Sequence, residues 1–160
     1  MKTMNELLGM KTEQSIDLTN KLNGLLANYQ LYYQNLRGFH WNVKGEKFFE
    51  LHTKFEELYD DAVLKIDEIA ERILTLGGTP LHTFNDYIIK SEIAEQKNVS
   101  NGIECMQNTL ENLATIVRLE KGILPVAQEA EDEGTLTLLT DYISQQEKVM
   151  WMLKAWLSRS

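Results

Sequence analysis

The sequence of 160 residues is 43% hydrophobic and 25% charged, which is typical of one soluble globular domain spanning residues 1–160. Its formal net charge of −8 argues against a generally basic surface for nucleic acid and favours cations as partners. Its apolar runs are too short to span a membrane and residues 1–14 lack a signal-peptide core, so we expect a cytoplasmic protein with a short N-terminal tail over 1–14.

The first long helix follows that tail. From Ser15 onward, apolar residues recur every three or four positions, and this helical period predicts a helix that runs to about Trp41. The residues that carry the pattern are Ile16, Leu18, Leu22, Leu25, Leu26, Tyr29, Tyr32, Tyr33 and Leu36. Asn42 and Gly45 then end the helix, because Asn and Gly tolerate the left-handed turn needed there.

A second helix is predicted from about Lys47 to Leu76, again from a continuous apolar stripe. The stripe consists of Phe48, Leu51, Phe55, Leu58, Tyr59, Ala62, Ile66, Ile69, Ile73 and Leu76. The glycines and proline of residues 77–80 stop it. Residues 81–98 are less regular, with one apolar patch at 87–89, and we interpret them as a connection that carries one short helix.

The third helix is predicted from about Ser100 to Ala130, with Pro125 inside it as a kink or a break. Its single cysteine, Cys105, cannot form an internal disulfide and is expected to be a buried small hydrophobe. A fourth helix follows from about Thr135 to Leu157. Because no strand-period alternation occurs, the predicted fold is all-α: a four-helix bundle with a long crossover between helices 2 and 3.

Four metal-type ligands lie close together in the sequence: His40, His52, Asp67 and Glu71. The two acidic residues are four apart, so both carboxylates project from one face of the second helix. The two histidines flank the turn at Gly45, so their imidazoles can approach each other. Acidic pairs also suit a solvated face, and single histidines are commonly packed or surface residues, so only the combination indicates a metal site.

The length of the second helix decides how such a site is built. His52 and Asp67 are fifteen residues apart on one helix, which at 1.5 Å per residue separates them by roughly 22 Å. They cannot bind one ion within one chain. Two copies with antiparallel second helices about a two-fold axis would bring His52 of one opposite Asp67 and Glu71 of the other. The ligand pattern therefore predicts an obligate dimer with two equivalent sites at its interface.

An ordinary ferritin-like bundle builds a di-iron site inside one chain with Glu-x-x-His motifs. No glutamate lies three residues before any of the three histidines in this sequence. We therefore expect a ferritin-like fold without that intrachain site. The third histidine, His82, lies in the irregular connection and is given no metal role.

The spacing of the four ligands, within FHWNVKG (39–45) and IDEIAERI (66–73), resembles the Dps family, the DNA-binding proteins from starved cells, also called mini-ferritins. The similarity covers nearly the whole chain, including TPL at 79–81 and WMLKAWL at 151–157. Four ligand types at fixed spacing in a matching helical frame make it specific.

This resemblance implies a hollow shell of twelve subunits that oxidises Fe(II), preferentially with hydrogen peroxide, and stores ferric mineral. His40 and His52 of one subunit, with Asp67 and Glu71 of its dimer mate, would form the ferroxidase centre. Trp41 resembles the family's aromatic residue beside that centre, which takes up oxidising equivalents. The implied physiological role is protection against oxidative stress.

Three acidic residues at the end of the third helix, Glu129, Asp132 and Glu133, are candidates for an iron entry pore, and a solvated helix-end cluster explains them equally well. A competing function within the family is nucleoid binding without dependence on iron. It is disfavoured because Lys2 and Lys11 of the tail are cancelled by two glutamates. A non-catalytic helical bundle with structural histidines is the remaining alternative.

Overall fold

Six helices make up the secondary structure of a computed structural model, which describes residues 1–158; the last two residues of the predicted domain, 159 and 160, lie outside this part. They are α1 (Met4–Leu8), α2 (Thr12–Asn42), α3 (Phe48–Thr75), α4 (Phe84–Lys90), α5 (Gly102–Glu129) and α6 (Glu133–Leu157). The four long helices form the bundle and α4 lies in the crossover, so the predicted all-α fold with a short crossover helix is confirmed. None of the helices within 1–158 has the length and apolar character needed to cross a membrane.

The central helix of the bundle is α2, which packs against α3, α5 and the short α4, while α5 packs against α6. In contrast, α3 buries one stripe of side chains at helical spacing and leaves its opposite face open. The buried stripe includes Leu51, Phe55, Leu58, Ala62, Ile69 and Ile73. One face of α3 is therefore available for contacts outside the subunit.

Two buried asparagines on α2 hold the crossover in place. The side-chain oxygen of Asn28 accepts hydrogen bonds from the backbone N–H groups of Glu92 and Ile93, both at 3.0 Å. Two helical turns further along α2, Asn35 accepts a hydrogen bond from the Gln96 N–H at 2.9 Å and donates one to the Ala94 carbonyl at 3.0 Å. These bonds satisfy backbone groups of a segment that has no helix or strand of its own.

The structure differs from the sequence expectations at two places. The tail contains the helix α1, which begins with a capping box between Thr3 and Glu6 and ends at Gly9, whose φ of 71° is left-handed. Around Pro125, α5 continues without a break. Proline leaves the Lys121 carbonyl without its helical donor, but both residues are exposed, so water can satisfy it.

A buried polar cluster lies in the middle of the bundle around Glu120 of α5, whose side chain has no exposed surface. Tyr29 of α2 donates a hydrogen bond to its Oε1 at 2.7 Å, and Gln146 of α6 donates to the same oxygen at 3.2 Å. Among residues 1–158, the other carboxyl oxygen, Oε2, has no hydrogen-bond partner, and neither has the Oε1 of Gln146. Two buried acceptors without donors favour a proton on the Glu120 carboxyl.

The pKa of Glu120 reflects this environment. Burial raises the pKa to about 7, and the hydrogen bonds from Tyr29 and Gln146 and the charge of Lys65 offset the effect only in part. Lys65 of α3 is itself buried and pairs with Asp61 at 2.5 Å, with its ammonium 5.1 Å from the ring centre of Tyr142. The cluster thus connects α2, α5 and α6 by hydrogen bonds to one carboxyl group, and the charge of Lys65 on α3 acts on the same group.

Candidate metal centre

The centre begins at the turn between α2 and α3. Val43 is buried, the N–H of Lys44 donates to the Ser100 carbonyl at 3.0 Å, and Gly45 has a φ of 111°, which strains any other residue. This turn folds α3 back along α2. His40, near the end of α2, and His52, in the second turn of α3, therefore face each other.

The two imidazole rings stack, with centroids 3.7 Å apart and an angle of 18° between their planes. The Nδ1 of His40 is 2.7 Å from the carbonyl oxygen of His52, and the Nδ1 of His52 is 2.9 Å from the carbonyl oxygen of His40. Because a carbonyl oxygen only accepts, each Nδ1 carries a proton. Each Nε2 of a neutral ring then has a free lone pair, which is the state that binds a metal ion.

Glu56 adds a carboxylate to the pair, one helical turn after His52. Ligand atoms of His40, His52 and Glu56 all lie within 4.8 Å of one another, and within residues 1–158 this is the only such group of three or more metal-type ligands. Glu56 was not among the ligands predicted from the sequence. Its signal was present as the i, i+4 spacing from His52, but it did not stand out among 24 acidic residues.

Two further predicted ligands, Asp67 and Glu71, do not join this group within the chain. Both are exposed on the open face of α3. Val63 and Leu74 lie at helical spacing on either side of them, and these apolar side chains are 40% and 55% exposed. The carboxylate pair therefore lies beside exposed apolar side chains, a combination found at protein interfaces.

Within residues 1–158, Trp41, the predicted aromatic residue of the site, makes no ring contact with His40 or His52. Its indole is 57% exposed, and the Arg37 guanidinium lies 4.7 Å from its ring centre. The ring that contacts His40 belongs instead to Tyr59, edge to face at 5.3 Å. In the sequence, Tyr59 belongs to the apolar stripe of the helix, where an aromatic residue is ordinarily part of the core.

The three candidate pore residues have different environments. Glu129 and Glu133 are exposed at the junction of α5 and α6. Asp132 is buried, forms an ion pair with Arg72, and caps α6 by accepting hydrogen bonds from the N–H and hydroxyl of Thr135. Asp132 therefore holds the α5–α6 junction together, and the pore expectation is left to the two exposed glutamates.

The single cysteine and the third histidine lie apart from the centre. Cys105 is fully buried on α5, and burial raises the pKa of its thiol to about 11, so the thiol stays protonated and packs as a small apolar group. His82 is exposed, with its Nδ1 2.9 Å from the Pro80 carbonyl.

Two imidazole nitrogens and one carboxylate suit a divalent first-row transition metal. The set has only three protein donors, and it opens toward the protein surface through the exposed Glu56. A metal held there would keep coordination positions free for other ligands, including a small oxidant. One subunit therefore offers a candidate centre with two nitrogen donors and one carboxylate.

Comparison with known proteins gives matches over nearly the full chain. A profile of the ferritin-like domain matches residues 19–160. The chain is 43% identical over 159 residues to the DNA protection during starvation protein of Porphyromonas gingivalis, covering 99% of this chain and 100% of that protein. It is 50% identical to the Dps protein of Vibrio cholerae O1, whose crystal structure is described as that of a member of the ferritin-like diiron-carboxylate superfamily; the TM-score is 0.93 and the match covers 95% of this chain and 96% of that one. Dps from Staphylococcus aureus is 31% identical with a TM-score of 0.88, covering 94% and 99%.

Proposed function

The chain belongs to the Dps family of ferritin-like proteins, and on that premise we propose that it oxidises Fe(II), preferentially with hydrogen peroxide, and stores the ferric product. The sites of oxidation lie between subunits, and the mineral fills a hollow shell of twelve cytoplasmic subunits. The single observation that carries this proposal is the His40–His52 pair, in which each ring is oriented by the other residue's carbonyl and has a free Nε2. The physiological role is protection against oxidative stress.

The missing ligands come from a second subunit. When two α3 helices pack antiparallel about a two-fold axis, the exposed Asp67 and Glu71 of each subunit lie opposite the histidine pair of the other. The apolar side chains of Val63 and Leu74 around them support this packing, since their burial stabilises association. The dimer then has two equivalent centres, each with nitrogen ligands from one chain and carboxylates from both.

The chemistry matches the ligands. Fe(II) is the substrate, and mixed imidazole and carboxylate donors bind it while the harder Fe(III) product is favoured by the carboxylates. Two Fe(II) ions each give one electron to one peroxide molecule, whose O–O bond breaks to yield two water molecules as two protons are taken up. Because both electrons arrive together, hydroxyl radical is not released.

The electrostatics of the shell favour iron entry. Each chain carries a net charge of −8, so an assembly of many chains attracts cations over long range. Glu129 and Glu133 are exposed and lie on a junction that the buried Asp132–Arg72 pair holds in place. We assign the iron entry pore to this junction when subunits meet there.

The proposal is tested by measuring assembly mass and iron oxidation on the same sample. Light scattering is expected to give about 220 kDa, twelve times the chain mass of 18.5 kDa. Anaerobic addition of peroxide to Fe(II)-loaded protein is expected to oxidise two Fe(II) per peroxide, faster than dissolved oxygen does. Oxidation no faster than in a protein-free control would contradict the ferroxidase function.

The alternative function is DNA binding without dependence on iron. The name of the Porphyromonas gingivalis relative, a DNA protection protein, suggests this alternative. The N-terminal tail does not favour it, because its lysines, Lys2 and Lys11, are balanced by Glu6 and Glu13. We expect no retardation of plasmid DNA by the intact assembly in a mobility-shift assay at low salt. Retardation that disappears when residues 1–14 are removed would favour the DNA-binding function instead.

A further inference from the structure

Two aromatic rings lie against the histidine pair: Phe48 stacks on His52 at 5.1 Å, and Tyr59, which unlike Phe48 has a phenolic hydroxyl, lies against His40. Its ring meets the His40 ring edge to face, with 5.3 Å between centroids and 89° between planes. On its other side it meets the ring of Tyr33 at 6.1 Å and 85°. Tyr59 is partly buried in this sandwich, so its ring is fixed beside a metal ligand while its edge remains within reach of solvent.

The charges that act on the aromatic residues near the centre differ: Glu56 and Asp60 affect Tyr59 more strongly than the Arg37 cation does, whereas Arg37 lies over the rings of Tyr33 and Trp41. Tyr59 is flanked on α3 by Glu56 and Asp60, whose carboxyl groups are exposed. Arg37 places its guanidinium 5.3 Å from the ring centre of Tyr33 and 4.7 Å from that of Trp41. Negative charge nearby makes removal of an electron from a ring easier, and a cation over the ring face makes it harder.

We propose that Tyr59, and not Trp41, donates the second electron to peroxide when only one Fe(II) occupies the centre. This inference rests on the proposed ferroxidase function. The Fe(II) ion supplies one electron, and Tyr59 supplies the other together with its phenolic proton. With one further proton from solvent, the O–O bond breaks and two water molecules form, leaving Fe(III) and a neutral tyrosyl radical.

The surroundings keep the radical on Tyr59. Because Glu56 is a candidate metal ligand, the exposed carboxylate of Asp60, next to Tyr59 in the sequence, is the acceptor left for the phenolic proton. The neighbouring rings of Tyr33 and Trp41 both lie under the Arg37 cation, which disfavours electron transfer from either ring to the Tyr59 radical. A singly loaded centre therefore converts peroxide to water without releasing hydroxyl radical. Tyr59 is left as a tyrosyl radical, which a later Fe(II) can reduce back to tyrosine.

The experiment loads the intact assembly anaerobically with one Fe(II) per centre, adds peroxide, and freezes the sample for electron paramagnetic resonance. Wild type is expected to give a tyrosyl signal that narrows when the protein is made with ring-deuterated tyrosine. Tyr59→Phe, which removes only the hydroxyl, is expected to lose the signal. Trp41→Phe and the control Tyr87→Phe, a tyrosine on α4, are expected to retain it.

A second variant tests the role of the cation. In Arg37→Gln, part of the signal is expected to become that of a tryptophan radical. Either of two results would overturn the assignment to Tyr59: an undiminished tyrosyl signal in Tyr59→Phe, or a tryptophan signal in wild type that Trp41→Phe loses. Iron oxidation is read by absorbance in the same samples, and if it persists, the ferroxidase function still stands. Absence of iron oxidation in wild type overturns both.

Discussion

Replacement of His52 by alanine is expected to slow peroxide-driven Fe(II) oxidation at least about 100-fold, since even loss of a supporting hydrogen bond weakens a metal site by about 10- to 100-fold. The variant loses one Nε2 ligand and the stacked ring beside His40. His40 keeps its orientation, because its Nδ1 bonds to the main-chain carbonyl of residue 52, which alanine retains. Stopped-flow absorbance measures the rate, and light scattering verifies that assembly persists.

The matched control is His82→Ala, which removes an exposed histidine from the crossover. It is expected to oxidise iron at the wild-type rate. Unchanged oxidation in His52→Ala, with assembly intact, would show that the histidine pair is structural and that the iron chemistry occurs elsewhere.

A mixture of two inactive variants tests whether the centre is shared. Asp67→Ala is expected to be as inactive as His52→Ala, because each dimer then lacks the same ligand in both centres. Co-expressed together, the two chains pair at random, and a mixed dimer contains one intact centre, with His52 and Asp67 from different chains. About a quarter of the wild-type activity is therefore expected to return. Mixed assemblies as inactive as their parents would rule out the shared centre.

The second large effect concerns pH. The pKa of Glu120 is raised to about 7 in the folded subunit, against an ordinary value near 4.5. A raised pKa means that the folded state holds the proton more tightly, so its contribution to stability is complete below about pH 4.5 and is lost as pH rises through 7. Between pH 4.5 and 8 the free energy of unfolding is expected to fall by about 3 kcal/mol from this group.

Glu120→Gln keeps a neutral side chain of the same shape and is expected to remove this pH dependence. Urea unfolding of wild type and variant across pH 4.5–8 measures the difference in their free energies of unfolding. All samples have one subunit concentration, because assembly contributes to stability. The control is Glu147→Gln on α6, an exposed residue paired with Lys121, which is expected to leave the profile unchanged. Parallel profiles for wild type and Glu120→Gln would mean that Glu120 is not the group that titrates.

Local patterns in the sequence predicted most of the fold and the separation of the ligands. The helical period identified all four long helices, and the rise per residue showed that His52 and Asp67 lie far apart on α3. Features that depend on distant partners were not predictable in this way. Asp132 looked like a free acid because its partner, Arg72, lies sixty residues away and on another helix.

The missed members of the site have the same explanation. Glu56 and Tyr59 have spacings from His52 that many residues of an amphipathic helix share. Only the position of the His40 ring, which comes from α2, shows that these two residues lie at the site. The helix at the start of the chain was missed for a different reason. The helix α1 is short, and a capping box and a closing glycine stabilise it without an apolar stripe that a period could reveal.

The reciprocal histidine bonds join residues only twelve apart in the sequence. Contacts of such short range close small loops and form early in folding, whereas the approach of Asp67 and Glu71 requires an encounter between two chains. On the proposed assembly, the two histidines and Glu56 are thus in place once a single chain has folded, and only Asp67 and Glu71 depend on the encounter with a second chain. On the proposed assembly, the onset of iron oxidation after synthesis follows second-order kinetics in subunit concentration, so that a sparse pool of subunits stays inactive until enough chains accumulate to meet.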